Sequence, residues 1–260
     1  MESFPPLPAD GNRVIASNFI AEGTGTALLV GSIVAGLLGL IPAVVLICVT
    51  YGIALIGFLI SPLFFAYQNR KALALIHGSG IKVSADQFPS IHQAVAKMSE
   101  RLGITAPDVY LVEANVLNAF AVRYGKKNVI LVTDDLVHGA VASGRVGGLT
   151  YVLAHELAHV ALGQNGLIRS FIRARYKKLS RLDEYSADAV AVRLVSDKAD
   201  AVAGLVMLTV GPHLAKYLNG QALAAQITEV AENKYSQKAE RVLTHPLLLN
   251  RLDRIMRANG

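Results

Sequence analysis

Val152-Leu153-Ala154-His155-Glu156-Leu157-Ala158-His159-Val160 is the stretch on which the reading of this 260-residue chain turns. Residues four apart share one face of a helix, so the imidazoles of His155 and His159 can reach a single metal ion. Glu156 follows His155 directly, close enough to serve a water at that metal without being needed as a ligand. The flanks are small and apolar: Leu149, Val152, Leu153, Ala154, Leu157, Ala158, Val160, Ala161 and Leu162. A helix so lined is a buried one, and unpaired polar groups inside a protein cost several kcal/mol each. Zinc would satisfy them. The alternative, a surface helix showing two histidines and a glutamate, fits the apolar flanks poorly.

Catalytic zinc keeps three protein ligands and one open position. Downstream runs Leu182-Asp183-Glu184-Tyr185-Ser186-Ala187-Asp188, rich in helix formers. Glu184 and Asp188 share a helix face. Glu184 can therefore supply the third ligand, and Asp188 can hydrogen-bond a ligand histidine and fix its tautomer. The next turns (Ala189, Val190, Ala191, Val192, Leu194, Val195) are apolar, which argues for a packed helix rather than a solvated acidic turn.

With H-E-x-x-H followed by E-x-x-x-D, the sequence resembles the gluzincin metallopeptidases, specifically the membrane-bound HtpX-like and CAAX prenyl protease group. Leu117-Asn118-Ala119-Phe120-Ala121 is similar to that group's asparagine-alanine-phenylalanine-alanine segment. Thr244-His245-Pro246, with Arg251 and Arg254 behind it, is similar to its C-terminal histidine-proline element. The resemblance covers about residues 80 to 260. It implies a zincin-like α+β catalytic domain, mainly α with a small antiparallel or mixed β-sheet, and a protein or peptide substrate held against the sheet edge by strand addition. Asn118, with Ala119 and Phe120, is the candidate substrate-binding segment; a turn asparagine is the bland reading of Asn118. Pro246 at a first helical position would keep His245 extended, free to stabilise an oxyanion, unless it merely precedes the helix.

The rest of the chain fits an anchored enzyme. An apolar fraction of 53%, a mean hydropathy of +0.42 and 17% charged residues are too oily for an ordinary soluble protein. The cause is local: from Thr26 to Tyr67 no residue is charged. One straight helix of about 42 residues would measure about 63 Å, twice the roughly 30 Å hydrocarbon thickness. Two spans are therefore expected, turning at Gly39-Leu40-Ile41-Pro42, with Gly31, Ala35 and Gly39 as a close-packing stripe. The expected organisation is a tail over residues 1–25, a transmembrane hairpin over 26–68 and a peptidase domain over 69–260. The tail, with Phe4-Pro5-Pro6-Leu7-Pro8, lacks the pattern of a secretory signal. Arg70, Lys71 and Lys82 follow the hairpin, so the positive-inside rule places the catalytic part in the cytoplasm. Together with the HtpX-like resemblance, this implies an integral protein of a bacterial inner membrane.

Lone Cys48 permits no intramolecular disulfide. A net charge of +6 suits a membrane-facing surface, and no nucleic-acid module is visible. The stretch from Leu167 to Arg181 holds six basic residues and no acid, interleaved with Leu, Ile, Phe and Tyr. It reads as a helix lying on anionic lipid, or as a solvated basic loop. His77, His92, His138 and His213 are isolated and read as surface or satisfied side chains. The reaction implied is zinc-dependent peptide hydrolysis with Glu156 as general base and one zinc per chain. Specific processing of the CAAX prenyl protease type and a catalytically silent membrane adaptor are the alternatives, and oligomeric state is not legible.

Overall fold

The computed structural model describes residues 12–50, 52–114, 118–195, 197–215 and 217–258. The Phe4–Pro8 segment and Leu117 lie outside the described residues.

In chain order the elements are helices α1 (Thr24–Val49) and α2 (Ile53–Ser79), strand β1 (Ile81–Lys82), α3 (Pro89–Leu102), strands β2 (Asp108–Val112), β3 (Ala119–Tyr124) and β4 (Lys127–Thr133), then α4 (Asp134–Ala142) and α5 (Val146–Ala161). They continue with α6 (Leu167–Arg175), α7 (Lys177–Leu194), α8 (Lys198–Val210), α9 (Pro212–Ala215), α10 (Gly220–Glu232), α11 (Lys234–Glu240) and α12 (Leu248–Arg257). The fold is mainly helical with one mixed sheet of order β1-β2-β4-β3, in which β2 runs parallel to β4 and the other pairs are antiparallel. The β3–β4 hairpin turns at Gly125, with φ +62°. β3 is left as the edge strand.

α5 runs through the middle of the core. Leu149, Tyr151, Val152, Leu153, Leu157 and Ala158 are buried among residues of α3, the sheet, α7, α8 and α12. Its start is closely packed: a Cβ at Gly148 would lie 3.0 Å from the Gly204 backbone nitrogen, so the approach of α8 requires glycine there. Gly163, at φ +64°, turns the chain away after α5. α3 buries the stripe Ile91, Val95 and Met98, and Gly103 ends it at φ +64°.

Four expectations are corrected. α1 passes straight through Gly39-Leu40-Ile41-Pro42, and the reversal comes at Gly52, whose φ of +87° a side chain would resist. Thr50 supports the turn: its Oγ1 donates to the Leu46 carbonyl and accepts from the Ala54 amide. The small stripe of α1 packs not on α2 but on α6 and α7, where Ala27 and Ala35 meet Ile172, Tyr176 and Leu179. Residues 12–22 are no loose tail: Val14 and Ala16 join the core, Val14 N donates to the Arg101 carbonyl, and Ala21 N donates to Ser186 Oγ. Finally, Pro246 lies ahead of α12 rather than opening it.

Among the described residues, α1 is the one helix long and apolar enough to cross a membrane. Beyond Ala35 its apolar side chains are exposed, as are Ile53, Ile56, Leu59, Ile60, Leu63 and Phe64 of α2. The far end of α2 returns to protein, with Leu73 and Ile76 on the outer face of the sheet and His77 stacked on Tyr110.

Candidate active site

Two buried helices cross to build the site. α5 presents His155, Glu156 and His159, all less than a tenth exposed, and α7 presents Glu184 and Asp188. Ligand atoms of His155, His159 and Glu184 lie within 4.8 Å of one another. The Nε2 atoms of the two histidines are 3.1 Å apart, and the Glu184 oxygens lie 3.4 Å from His155 Nε2 and 3.6 Å from His159 Nε2.

The ring orientations are fixed from behind. His155 Nδ1 is 2.9 Å from Asp188 Oδ1, and His159 Nδ1 is 2.6 Å from Gln164 Oε1. With Nδ1 of each ring turned to its acceptor, both Nε2 atoms converge on the Glu184 carboxylate. In the metal-free site a proton on His155 holds this cluster together, in the place a metal cation would take. Two imidazole nitrogens and one carboxylate form a donor set that suits zinc. The residues therefore fit the metal that the motif implies.

Asp188 is itself held. Tyr151 OH donates to Oδ1 at 2.7 Å, and Arg251 of α12 forks onto both oxygens, Nε to Oδ2 at 2.8 Å and Nη2 to Oδ1 at 2.6 Å. Burial opposes charge on Asp188, but Arg251 outweighs it and holds the carboxyl well below the usual range. Glu184 behaves alike: burial would raise it, yet its bonds to His155 and His245 carry it below the ordinary carboxylate value. In the metal-free site, burial disfavours charge on His155, and hydrogen bonds to Asp188 and Glu184 nonetheless raise it to about 9. Burial and the neighbouring His155 push His159 down to about 4. Burial lifts Glu156 to about 7 against the pull of His155 and of the Ala121 amide, which donates to Glu156 Oε2 at 2.7 Å.

These groups line a cleft of about 1250 Å³ bounded by β3 on one side and α6 on the other. Asn118, Ala119 and Phe120 all border it. Asn118 spends its side chain locally, Oδ1 accepting from Ala119 N at 2.9 Å; the Ala119 methyl is buried and Phe120 is exposed. His245 is exposed, with Nδ1 3.4 Å from Glu184 Oε1. Its loop is held by Arg181, which donates to the carbonyls of Arg241 and Leu243, and by Lys177, which donates to that of Val242. Sequence reasoning missed Gln164, Tyr151, the Ala121 amide and the role of Arg251. Gln164 carried a signal, as the first polar side chain past the apolar run, and Arg251 stood out only as part of the histidine-proline element.

The six basic residues of the 167–181 stretch do not form one lipid-facing patch. Arg169 and Arg173 pair inward with Asp183 and Glu184, and Lys177 and Arg181 hold the His245 loop. α6 turns Leu167, Ile168 and Phe171 outward, together with Ser170, Ala174 and Arg175.

Comparison with known proteins agrees with this geometry. The pattern of peptidase family M48 matches residues 85–172, and that of peptidase U49 matches residues 131–259. The chain is 29% identical over 137 residues to a protease HtpX homolog of Persephonella marina, covering 53% of this chain and 42% of that protein. It is 25% identical over 213 residues to protease HtpX of Shewanella baltica, covering 62% and 70%. Against the plastoglobule-localized metallopeptidase 48 of Arabidopsis thaliana it is 28% identical over 173 residues, covering 57% and 48%. The chain spans about half the length of several of these relatives, 42% and 53% for two protease HtpX homologs. No solved structure matches it. The M48 pattern takes in His155, Glu156 and His159 and ends before Glu184, and over these matched segments the chain is similar to protease HtpX and to peptidases of family M48.

Proposed function

We propose that the chain is a membrane-anchored, zinc-dependent endopeptidase. The observation that carries this reading is the convergence of His155, His159 and Glu184 with a buried, protonatable Glu156 beside them, in a cleft edged by a free strand. Zinc, when bound by the two histidines and Glu184, supplies Lewis acidity toward a peptide carbonyl and a water. Glu156 takes the proton of the attacking water on a side-chain oxygen and hands it to the leaving amine nitrogen. Its position supports this, buried beside the ligands with one oxygen held by the Ala121 amide. Asp188 and Gln164 keep the imidazoles in one tautomer. His245, at the exposed rim, donates toward the developing oxyanion. β3 receives an extended protein or peptide segment along its open edge, next to Asn118, Ala119 and Phe120.

The seating in the membrane follows from lengths. The exposed arms of α1 and α2, about 14 residues each, reach about 21 Å, short of the roughly 30 Å hydrocarbon core. The span is completed by the first turns of α1, which brings the apolar face of α6 to the bilayer surface. We assign the catalytic part to the cytoplasmic side of a bacterial inner membrane and its role to quality-control cleavage of membrane proteins, as the HtpX likeness implies.

The test is zinc content and cleavage of casein or a membrane protein by the detergent-purified chain, beside Glu156→Gln. The expected result is about one zinc per chain in both and cleavage only by the parent, with a loss of at least about 100-fold in the variant. Absence of zinc from both, in metal-replete buffer, would overturn the ligand assignment. Zinc in both with equal cleavage would overturn the role of Glu156.

A further inference from the structure

Between the two ligand helices, α6 touches the membrane helix with one face and the site with another. On the first face, Ile172 is buried against α1. A Cβ at Gly31 would lie 2.7 Å from Ile172 Cγ2 and 3.0 Å from Tyr176 Cβ. Ile172 is β-branched and stiff, and the Tyr176 Cβ sits on its own backbone, so neither yields without moving α6. On the second face, Arg169 forks onto Asp183, Nε to Oδ2 at 3.1 Å and Nη2 to Oδ1 at 2.5 Å, and Asp183 is fully buried. The next turn brings Arg173, with Nε 3.6 Å from Asp183 Oδ2 and Nη2 3.5 Å from Glu184 Oε1. One guanidinium thus spans two adjacent carboxylates. Asp183 is a fixed anchor, and Glu184 is the candidate ligand.

We propose that Arg173 is a positioning residue for Glu184, and that its place is set by the seating of α6 on the membrane helix α1. The proposal rests on the metal-site reading above. A planar guanidinium offers donors in a fixed fork, so its grip on Asp183 fixes the direction in which it meets Glu184. Arg251 approaches the same carboxylate from the opposite helix, Nη1 to Oε2 at 3.6 Å. Held between the two, Glu184 is turned toward His155 and His159 before any metal arrives. Displacing α6 from α1 moves Ile172, and Arg173 moves with it because the two are consecutive on one helix.

The experiment loads the full-length protein, in detergent or nanodiscs, with Co²⁺. The visible d–d spectrum reports the coordination geometry, and a competing chelator gives the affinity. Arg173→Gln is expected to weaken binding about tenfold or more and to change the band shape, with partial rescue in Arg173→Lys. Gly31→Leu, far from the metal, is expected to shift the spectrum in the same direction. Arg175→Ala is the control, since Arg175 stacks on Phe171 and reaches neither carboxylate; its spectrum should be parental. Parental spectra and affinities within about twofold in both Arg173→Gln and Gly31→Leu would overturn the proposal. Should Arg173→Gln fail to fold by circular dichroism, Arg173→Lys and Gly31→Leu decide it on the same readouts. A parent that takes up no cobalt overturns the metal-site reading, and this proposal with it.

Discussion

Replacing Arg251 by Met removes the clamp on Asp188 while keeping most of the side chain's volume. The two bonds lost, at 2.8 and 2.6 Å, join side chains only 12% and 5% exposed. Asp188 then keeps Tyr151 OH and the His155 imidazole but loses its guanidinium. Breaking a buried ion pair by removing one partner costs about 3–5 kcal/mol. At about 2–4 °C per kcal/mol for a chain of this size, the apparent Tm should fall by about 6–20 °C at neutral pH. The assay is thermal unfolding of metal-free parent and variant in one detergent at one scan rate. The pH dependence checks the cause. Asp188 has a folded value held below its unfolded value of about 3.9, so the stability it contributes is complete above that value and drains away as pH falls toward the folded one. The variant's Asp188 titrates higher, so the gap between the two proteins should narrow from pH 6 to pH 3. A shift under about 2 °C at neutral pH, or a gap that widens in acid, would refute the assignment of Arg251 and Asp188 as a buried, charged pair.

Other outcomes follow from the same geometry. Gln164→Ala leaves His159 Nδ1 without its acceptor and should weaken zinc binding about 10–100-fold with little change in fold, measured by chelator competition. Because His155 is raised to about 9 in the metal-free site, it is protonated at pH 7.5 and must lose that proton for Nε2 to ligate. Zinc uptake there should release about one proton, seen by calorimetry in buffers of different ionisation enthalpy, and apparent affinity should drop about tenfold per pH unit from pH 8 to 6. A pH-independent affinity would contradict this. Gly52→Val should lower the apparent Tm, since a β-branched residue resists φ +87°, whereas Gly36→Ala, in a position open on all sides, should not.

Much of this protein is local chemistry and so could be read in order along the chain. The i, i+4 spacing of His155 and His159, and of Glu184 and Asp188, puts each pair on one helix face whatever surrounds them. The apolar stripe of α3, its glycine stop and the β3–β4 hairpin are local in the same way. The turn at residues 39–42 was misread because glycine and proline look like breakers, yet a long apolar helix tolerates one Pro42 when a positive-φ glycine is available ten residues on.

The sequence by itself determined which side chains could face one metal ion, because helix periodicity and side-chain chemistry are properties of neighbours. Only the tertiary structure decided what holds those atoms. Gln164 behind His159, the Ala121 amide on Glu156 and Arg251 across Asp188 come from segments whose sequence distance says nothing of their direction in space. The same holds for the basic stretch: composition left its charges facing lipid or solvent, and packing turned Arg169 and Arg173 inward. A buried carboxylate such as Asp183 cannot stay charged without a partner, and arginines on the neighbouring helix were the ones within reach.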